Sequence, residues 1–166
     1  MKTPFILNKI RRELDESFKK ELISQGHSNS GKLEASINGK INGNQLNGEI
    51  YEYGFILNDG VKPGRIPYRR GSGAKSSKFI DSLVLYFKSK GLNEKEAKSA
   101  AFATAMVQKK EGMSTKGSKR FSKNGRRQGF LDHVIENKES KIDKIATDGM
   151  DDIFNKEFNK QKTEII

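Results

Sequence analysis

The apolar positions divide the chain into stretches of two different periods. Ile6, Ile10, Leu14, Phe18 and Leu22 recur at every fourth position between residues 6 and 25, the spacing that lines one face of an α-helix. Gly26 predicts the helix stop. A polar loop rich in Ser, Asn and Gly follows, from His27 to Lys32. From residue 33 to 57 the period drops to two. Ala35, Ile37, Gly39 and Ile41 alternate with Ser36, Asn38, Lys40 and Asn42. Beyond Gly43-Asn44-Gln45, Leu46, Gly48 and Ile50 alternate with Asn47 and Glu49. Alternating runs about a short Gly/Asn turn predict a β-hairpin. The Glu49 to Leu57 run is denser in Tyr, Phe and Ile and reads as the better-buried strand, ended by Asn58-Asp59-Gly60.

The helical period then returns. Phe79, Ile80, Leu83, Val84 and Phe87 line one face of a helix from about Ser77 to Lys90, closed by Gly91. Asn93 reads as an N-cap with Glu96 as its capping-box partner. Leu92 and Ala97 sit at staple positions, and the helix runs to Glu111 before Gly112. Ala97, Ala100, Ala101, Ala103 and Ala105 make this helix thin enough for close packing. A last helix from about Phe130 to Gln161 starts with Phe130, Leu131, Val134 and Ile135 and continues its stripe through Ile142, Ile145, Ala146, Ile153, Phe154 and Phe158. Gly149 should weaken it midway, by about 1 kcal/mol relative to Ala. The pattern predicts an α+β fold: a small antiparallel, hairpin-based sheet packed by an N-terminal helix and a long C-terminal helix, with two extra helices between. We expect a single domain over 1–166, with Ile10, Leu14, Phe18, Ile37, Ile50, Phe55, Leu83 and Phe87 mostly buried.

Composition limits how large that core can be. Of 166 residues only 33% are hydrophobic, and the mean hydropathy is -0.77, so much of the chain must be solvated or meet partners. The apolar patch from Phe5 to Leu7 is too short for a signal sequence or a membrane span, and no membrane association is expected. Cys is absent, which removes disulfides, thiolate metal sites and Cys nucleophiles. The net charge of +11 favours polyanions or a protein partner with an acidic face. Because the lysines are widely spread, their use as solubilising surface residues accounts for the charge equally well.

Catalysis needs positioned acids, bases or nucleophiles. His27 lies in a polar loop and His133 on a helix beside apolar neighbours; lone, separated histidines are ordinarily surface or packing residues. Metalloprotease, nucleophile-elbow and phosphate-loop motifs do not occur. Asp148, Asp151 and Asp152 read as a solvated helix face rather than a metal site. Glu52 and Asp59 flank the second predicted strand, and nothing in their spacing singles out a paired-carboxylate site. No catalytic residue, metal or cofactor is therefore expected.

Two acid-free stretches give the stronger signal. Residues 61 to 76 carry Lys62, Arg65, Arg69, Arg70 and Lys75, with Lys78 just beyond, and no acid occurs between Asp59 and Asp81. Residues 112 to 128 carry Lys116, Lys119, Arg120, Lys123, Arg126 and Arg127. Such clusters can neutralise phosphates, and Tyr68 and Phe121 can stack on bases. Nucleic-acid contact, ordering against an acidic partner subunit, and a solvated loop all remain open. The Gly and Ser content argues that both loops are mobile when alone. As surface residues, Arg126 and Arg127 should tolerate charge reversal with the fold intact.

Three segments together resemble the neck proteins of tailed bacteriophages, the head–tail connector and tail-completion family. S-G-K-L-E-A-S-I, Ser30 to Ile37, is similar to that family's T-G-x-L-x-x-S-I lead-in to the first strand, with Ser30 in place of Thr. Y-G-F-I-L-N-D-G, Tyr53 to Gly60, resembles its strand ending in an aromatic, an aliphatic and a Gly. G-F-L-D-H-V-I-E-N-K, Gly129 to Lys138, resembles the P-F-L-x-x-A start of its long C-terminal helix, with Gly129 where Pro is usual and Val134 near the usual Ala. The order of elements also matches, although the stretch from Val61 to Gln128 is longer than in the simplest members.

The resemblance implies a structural virion protein, not an enzyme. It would be made in the host bacterial cytoplasm and would form a homo-oligomeric ring that joins the portal side of a capsid to the tail. Portal, neck or tail proteins would be its partners. Arg65, Arg69, Arg70, Lys116, Lys119, Arg120, Lys123, Arg126 and Arg127 would contact neighbouring subunits or packaged DNA. The alternative from the residues alone is a small basic nucleic-acid-binding protein of the same fold. Mutual repulsion of subunits at +11 each favours monomers at low ionic strength and rings once salt or an acidic partner screens the charge.

Overall fold

A computed structural model of the chain describes residues 3–71 and 77–164; Lys75 of the first basic stretch lies outside them. The first helix, α1 (Thr3–Ser24), buries Ile6, Ile10 and Leu22. It ends where its periodicity predicts. Gly26 takes φ 75°, its N–H reaches the Ile23 carbonyl, and the His27 N–H reaches Leu22. This paired closure satisfies orphan carbonyls and needs a left-handed residue at the turn.

The next segment departs from the predicted hairpin at both ends. Lys32–Ser36 is a short helix, α2, rather than the lead-in to a strand. Leu33 and Ile37, four residues apart, are both buried against Leu22 and Phe130, whereas Ala35 of the predicted alternation is exposed. Helical spacing therefore buries the larger side chains. The true strands are β1 (Asn38–Asn42) and β2 (Gln45–Glu49). They pair antiparallel from Asn38 opposite Glu49 to Asn42 opposite Gln45. The connecting residues are Gly43 and Asn44, with Gly43 at φ 60°, the conformation a II′ hairpin turn requires at its first position. Gly39 lies against α1, where an added Cβ would stand 2.6 Å from Arg11 Cγ, and its N–H donates to Asp15 Oδ2 at 3.3 Å.

Glu52–Asp59, expected as the better-buried strand, is an α-helix, α3. Gly54 and Asn58 face inward, and Leu57 packs on the same cluster. A Cβ on Gly54 would sit 2.5 Å from Ile50 Cδ1, so the glycine lets a helix settle where a larger residue would hold it off. Burial at positions 54, 57 and 58 is helical. The aromatic and β-branched content that suggested a strand points outward instead, and Phe55, expected in the core, is 52% exposed. Tertiary packing overrides β-propensity here. Of the other expected core residues, Ile10 and Ile37 are buried, while Leu14, Phe18, Ile50, Leu83 and Phe87 are half-buried.

The remaining helices form as predicted. α4 (Lys78–Ser89) is capped by Ser77, which accepts from the Ile80 N–H. α5 (Glu94–Glu111) starts with the complete Asn93/Glu96 capping box. The two pack through Ile80, Val84, Ala97, Ala101 and Ala105, with Leu92 and Phe87 against the same cluster. α6 (Phe130–Glu164) runs antiparallel to α1. Ile6 lies over Gly149, Glu13 is bridged to Lys138 and Lys141, and Glu21 approaches His133. Gly149 thus has a packing role: a Cβ there would stand 2.6 Å from Ile6 Cγ1. The described residues make an α+β fold with a two-stranded antiparallel sheet. No helix among the described residues is long and apolar enough to cross a membrane.

Candidate interaction surfaces

The three segments singled out by sequence meet at one joint. Leu33 and Ile37 from the first, Leu57 from the second, and Phe130 and Leu131 from the third share the cluster around Leu22. Asn58 locks the second to the third. Its Oδ1 accepts from the Leu131 N–H at 2.9 Å, its Nδ2 donates to Asp132 Oδ2 at 3.0 Å, and its carbonyl accepts from the Gly129 N–H. Asn58 is buried and serves as a remote cap for orphan donors at the start of α6.

The second basic stretch is folded onto the end of α1 rather than free. Lys116–Phe121 is a 3-10 turn. The Lys123 N–H donates to the Ser24 carbonyl, and Asn124 Nδ2 donates to Glu21 Oε1 at 2.8 Å. Arg127 turns inward. Its Nη1 donates to the carbonyls of Gln25 at 2.6 Å and Gly26 at 3.0 Å, placing a cation on the negative end of α1. His27 Nε2 pairs with the Arg127 carbonyl at 3.1 Å. Burial and the adjacent Arg127 charge hold the His27 ring below its ordinary pKa. The expectation of a loop indifferent to charge reversal at both Arg126 and Arg127 is corrected for Arg127, which ties residues about 100 positions apart in the chain.

Lys116, Lys119, Arg120, Lys123 and Arg126 stay exposed around this clamp. Phe121 is 63% exposed with the Arg120 guanidinium 4.8 Å over its ring. Arg65, Arg69 and Arg70 are exposed beside α5, where Tyr68, Arg69, Arg70, Met106 and Lys109 line a shallow groove. Lys109 is committed to the Ile66 carbonyl at 3.0 Å. An antiparallel bridge between Val61 and Met113 brings the roots of the two basic stretches together. Glu52 and Asp59 lie on α3 rather than beside a strand, and Asp148, Asp151 and Asp152 are exposed on α6. No group of three or more His, Cys, Asp or Glu with metal-holding geometry occurs among the described residues.

No family model, curated protein or solved structure matches this chain.

Sequence reasoning missed two surfaces. One is the outer face of α3, with Tyr51 and Tyr53 stacked at 6.1 Å and Phe55 and Ile56 exposed beside them. The other is the end of α6. With Ile6 over Gly149, α1 starts near residue 152 of its partner, and α6 continues to Glu164, about 18 Å further at about 1.5 Å per residue. Phe154 and Phe158 on this overhang are 69% and 58% exposed and stack on each other at 6.3 Å. The signal was present: residues 6–22 fill a shorter helix than residues 130–161, so an antiparallel pair must leave one end uncovered.

Proposed function

We propose that this chain is a structural subunit completed by assembly, a neck subunit of a tailed-phage particle that forms a ring between the portal side of the capsid and the tail. The observation that carries the reading is the overhang of α6: stacked, exposed aromatic side chains on a helix end that no element among the described residues covers are a liability in a monomer and a contact in an oligomer. The two-stranded sheet is consistent with this, since two strands are marginal alone and the β2 edge, away from α1, is open to a neighbour. The convergence of the three family-like segments on one joint also supports it. The protein works by position and contact, and no catalytic step is assigned to it.

Mass by light scattering across a salt series, alone and with a portal or neighbouring neck protein, tests the reading. We expect monomers at low ionic strength and closed multimers, visible as rings by electron microscopy, at moderate salt or with the partner. A strict monomer in every condition would overturn it.

Nucleic-acid binding is favoured by one specific feature, the exposed Arg120–Phe121 pair beside Lys116 and Lys119, where stacking and phosphate neutralisation are available together. A Lys116→Glu/Lys119→Glu/Arg120→Glu variant should bind DNA more weakly and with a shallower salt dependence. Unchanged retention would remove DNA from the account.

A further inference from the structure

We infer that the overhanging end of α6 docks against the outer face of α3 in the next copy of this chain, a head-to-tail contact that rests on the ring reading above. The two surfaces match in chemistry. Met150, just before the overhang, and Phe154, Phe158 and Lys162 on it follow one another at four-residue spacing, which makes each the neighbour of the next along one ridge of the helix. All four are exposed. The outer face of α3 presents Tyr53, Phe55 and Ile56 between Glu52 and Asp59. No Lys or Arg lies between Ile50 and Gly60, so this is an acidic, aromatic face in a chain of net charge +11. Aromatic stripe then meets aromatic patch, and Lys162 at the end of the stripe meets a carboxylate at the end of the patch.

Their placement selects the occupant. α3 is fastened to the start of α6 through Asn58 and Leu131, while the overhang is the other end of that 35-residue helix. The two surfaces therefore lie toward opposite ends of one subunit, about 35–40 Å apart along α6 from Leu131 to Phe154 and Phe158, and cannot meet within it. A second copy offers both. Each subunit gives one overhang and receives one, the heterologous geometry that makes a ring when the rotation between copies closes. Overhang against overhang would leave every α3 face uncovered. Seven large side chains at such a contact remove on the order of 1,000 Å² from water, at the small end of specific interfaces. Each link is weak alone and the closed ring gains from making all of them at once.

The absence of Cys makes the test clean. Full-length Phe158→Cys and Phe55→Cys variants, one carrying a mass tag, are mixed under mild oxidation at the salt where multimers form. Both positions are exposed, so the monomer fold is unaffected. We expect cross-links between the two variants severalfold above those in either variant alone. A Phe154→Lys/Phe158→Lys variant should keep the monomer melting temperature and lose multimers. Multimers that persist with links only between Phe158→Cys copies, or with none, would overturn this contact while leaving the ring standing. Monomers throughout would overturn both.

Discussion

The α4–α5 hairpin and the joint around Leu22 and Phe130 are built on opposite plans. The hairpin is local and apolar. Its buried residues, Ile80, Val84, Ala97, Ala101 and Ala105, come from adjacent helices, and each helix begins with its own side-chain cap. The joint is assembled from remote segments: the end of α1, α2, α3 and the start of α6. It contains buried polar groups, Gln25 and Asn58, and a guanidinium that bonds across 102 positions of chain. A hairpin of this kind holds its shape by short-range contacts, whereas the joint forms only when distant parts of the chain arrive together. Loss of the joint should unfold the α1–α6 body as a unit, and the hairpin should open as a separate one.

Emptying the joint should have the largest effect. Phe130 is fully buried, and Phe130→Ala should cost about 3–5 kcal/mol, read as a lowered urea midpoint. Amide exchange should then be accelerated through α1 and α6 and much less through α4 and α5. Equal acceleration in both regions would show that the hairpin depends on the joint.

Asn58 probes the polar fastening itself. Asn58→Ala leaves the Leu131 N–H without its acceptor in a buried setting, and should cost about 1–3 kcal/mol. Asn58→Asp keeps the acceptor for the Leu131 N–H but puts a carboxylate oxygen in place of the Nδ2 donor that faces Asp132, so like-charge repulsion should prevent it from rescuing stability at neutral pH. Recovery by Asn58→Asp would mean that the Asp132 contact matters little.

Arg127 and Arg126, neighbours in sequence, separate the clamp from the surface. Arg127→Glu removes donors from the Gln25 and Gly26 carbonyls and puts an anion on the negative end of α1, so about 2 kcal/mol should be lost. Arg126 is exposed, and Arg126→Glu should stay within about 0.5 kcal/mol. Thermal melts of the two single variants decide the matter.

The same contrast explains what the sequence could and could not tell. The hairpin was legible because everything that specifies it is local: the Asn93/Glu96 box, the Ala spacing, the stops at Gly91 and Gly112. So were the stop of α1 at Gly26 and the start of α6 at Phe130. Between Ser30 and Asp59 the hairpin about Gly43 and Asn44 was legible, but its flanks, Lys32–Ser36 and Glu52–Asp59, read as strand and fold as short helices that are defined by what they pack on. Leu33 and Ile37 at the first flank and Leu57 at the second find their helical burial only against Leu22 and Phe130, and apolar runs this short do not separate helix from strand by themselves. Among the candidate contact residues, charge and exposure were legible for Arg65, Arg69, Arg70, Lys116, Lys119, Arg120, Lys123 and Arg126. The inward turn of Arg127 was not, because its acceptors are backbone carbonyls at the other end of the chain, and carbonyls carry no sequence signature.

The smallest expected effect concerns charge. Glu13 on α1 accepts from Lys141 at 2.7 Å and Lys138 at 2.9 Å on α6, and these hydrogen bonds hold its carboxyl at about 2 against an ordinary value of 4.5. A carboxyl whose folded pKa is depressed adds stability that is present above the unfolded value and is lost as pH falls through the folded one. The contribution should therefore be complete at pH 6 and fade between pH 4.5 and about 2. Both lysines are partly exposed, so screening reduces the gain to about 1 kcal/mol. On the hairpin, Glu94 sits between Lys88 and Lys98 in a cluster open to water, and Glu94→Gln should leave the urea midpoint where it is. Glu13→Gln should lower the midpoint at pH 6 and match the parent near pH 2. Comparing the three proteins across that range also separates Glu13 from His27, whose depressed pKa removes stability as pH falls below about 6.5. A Glu13→Gln deficit that stayed constant down to pH 2 would mean that packing of the side chain, and not its charge, joins α1 to α6.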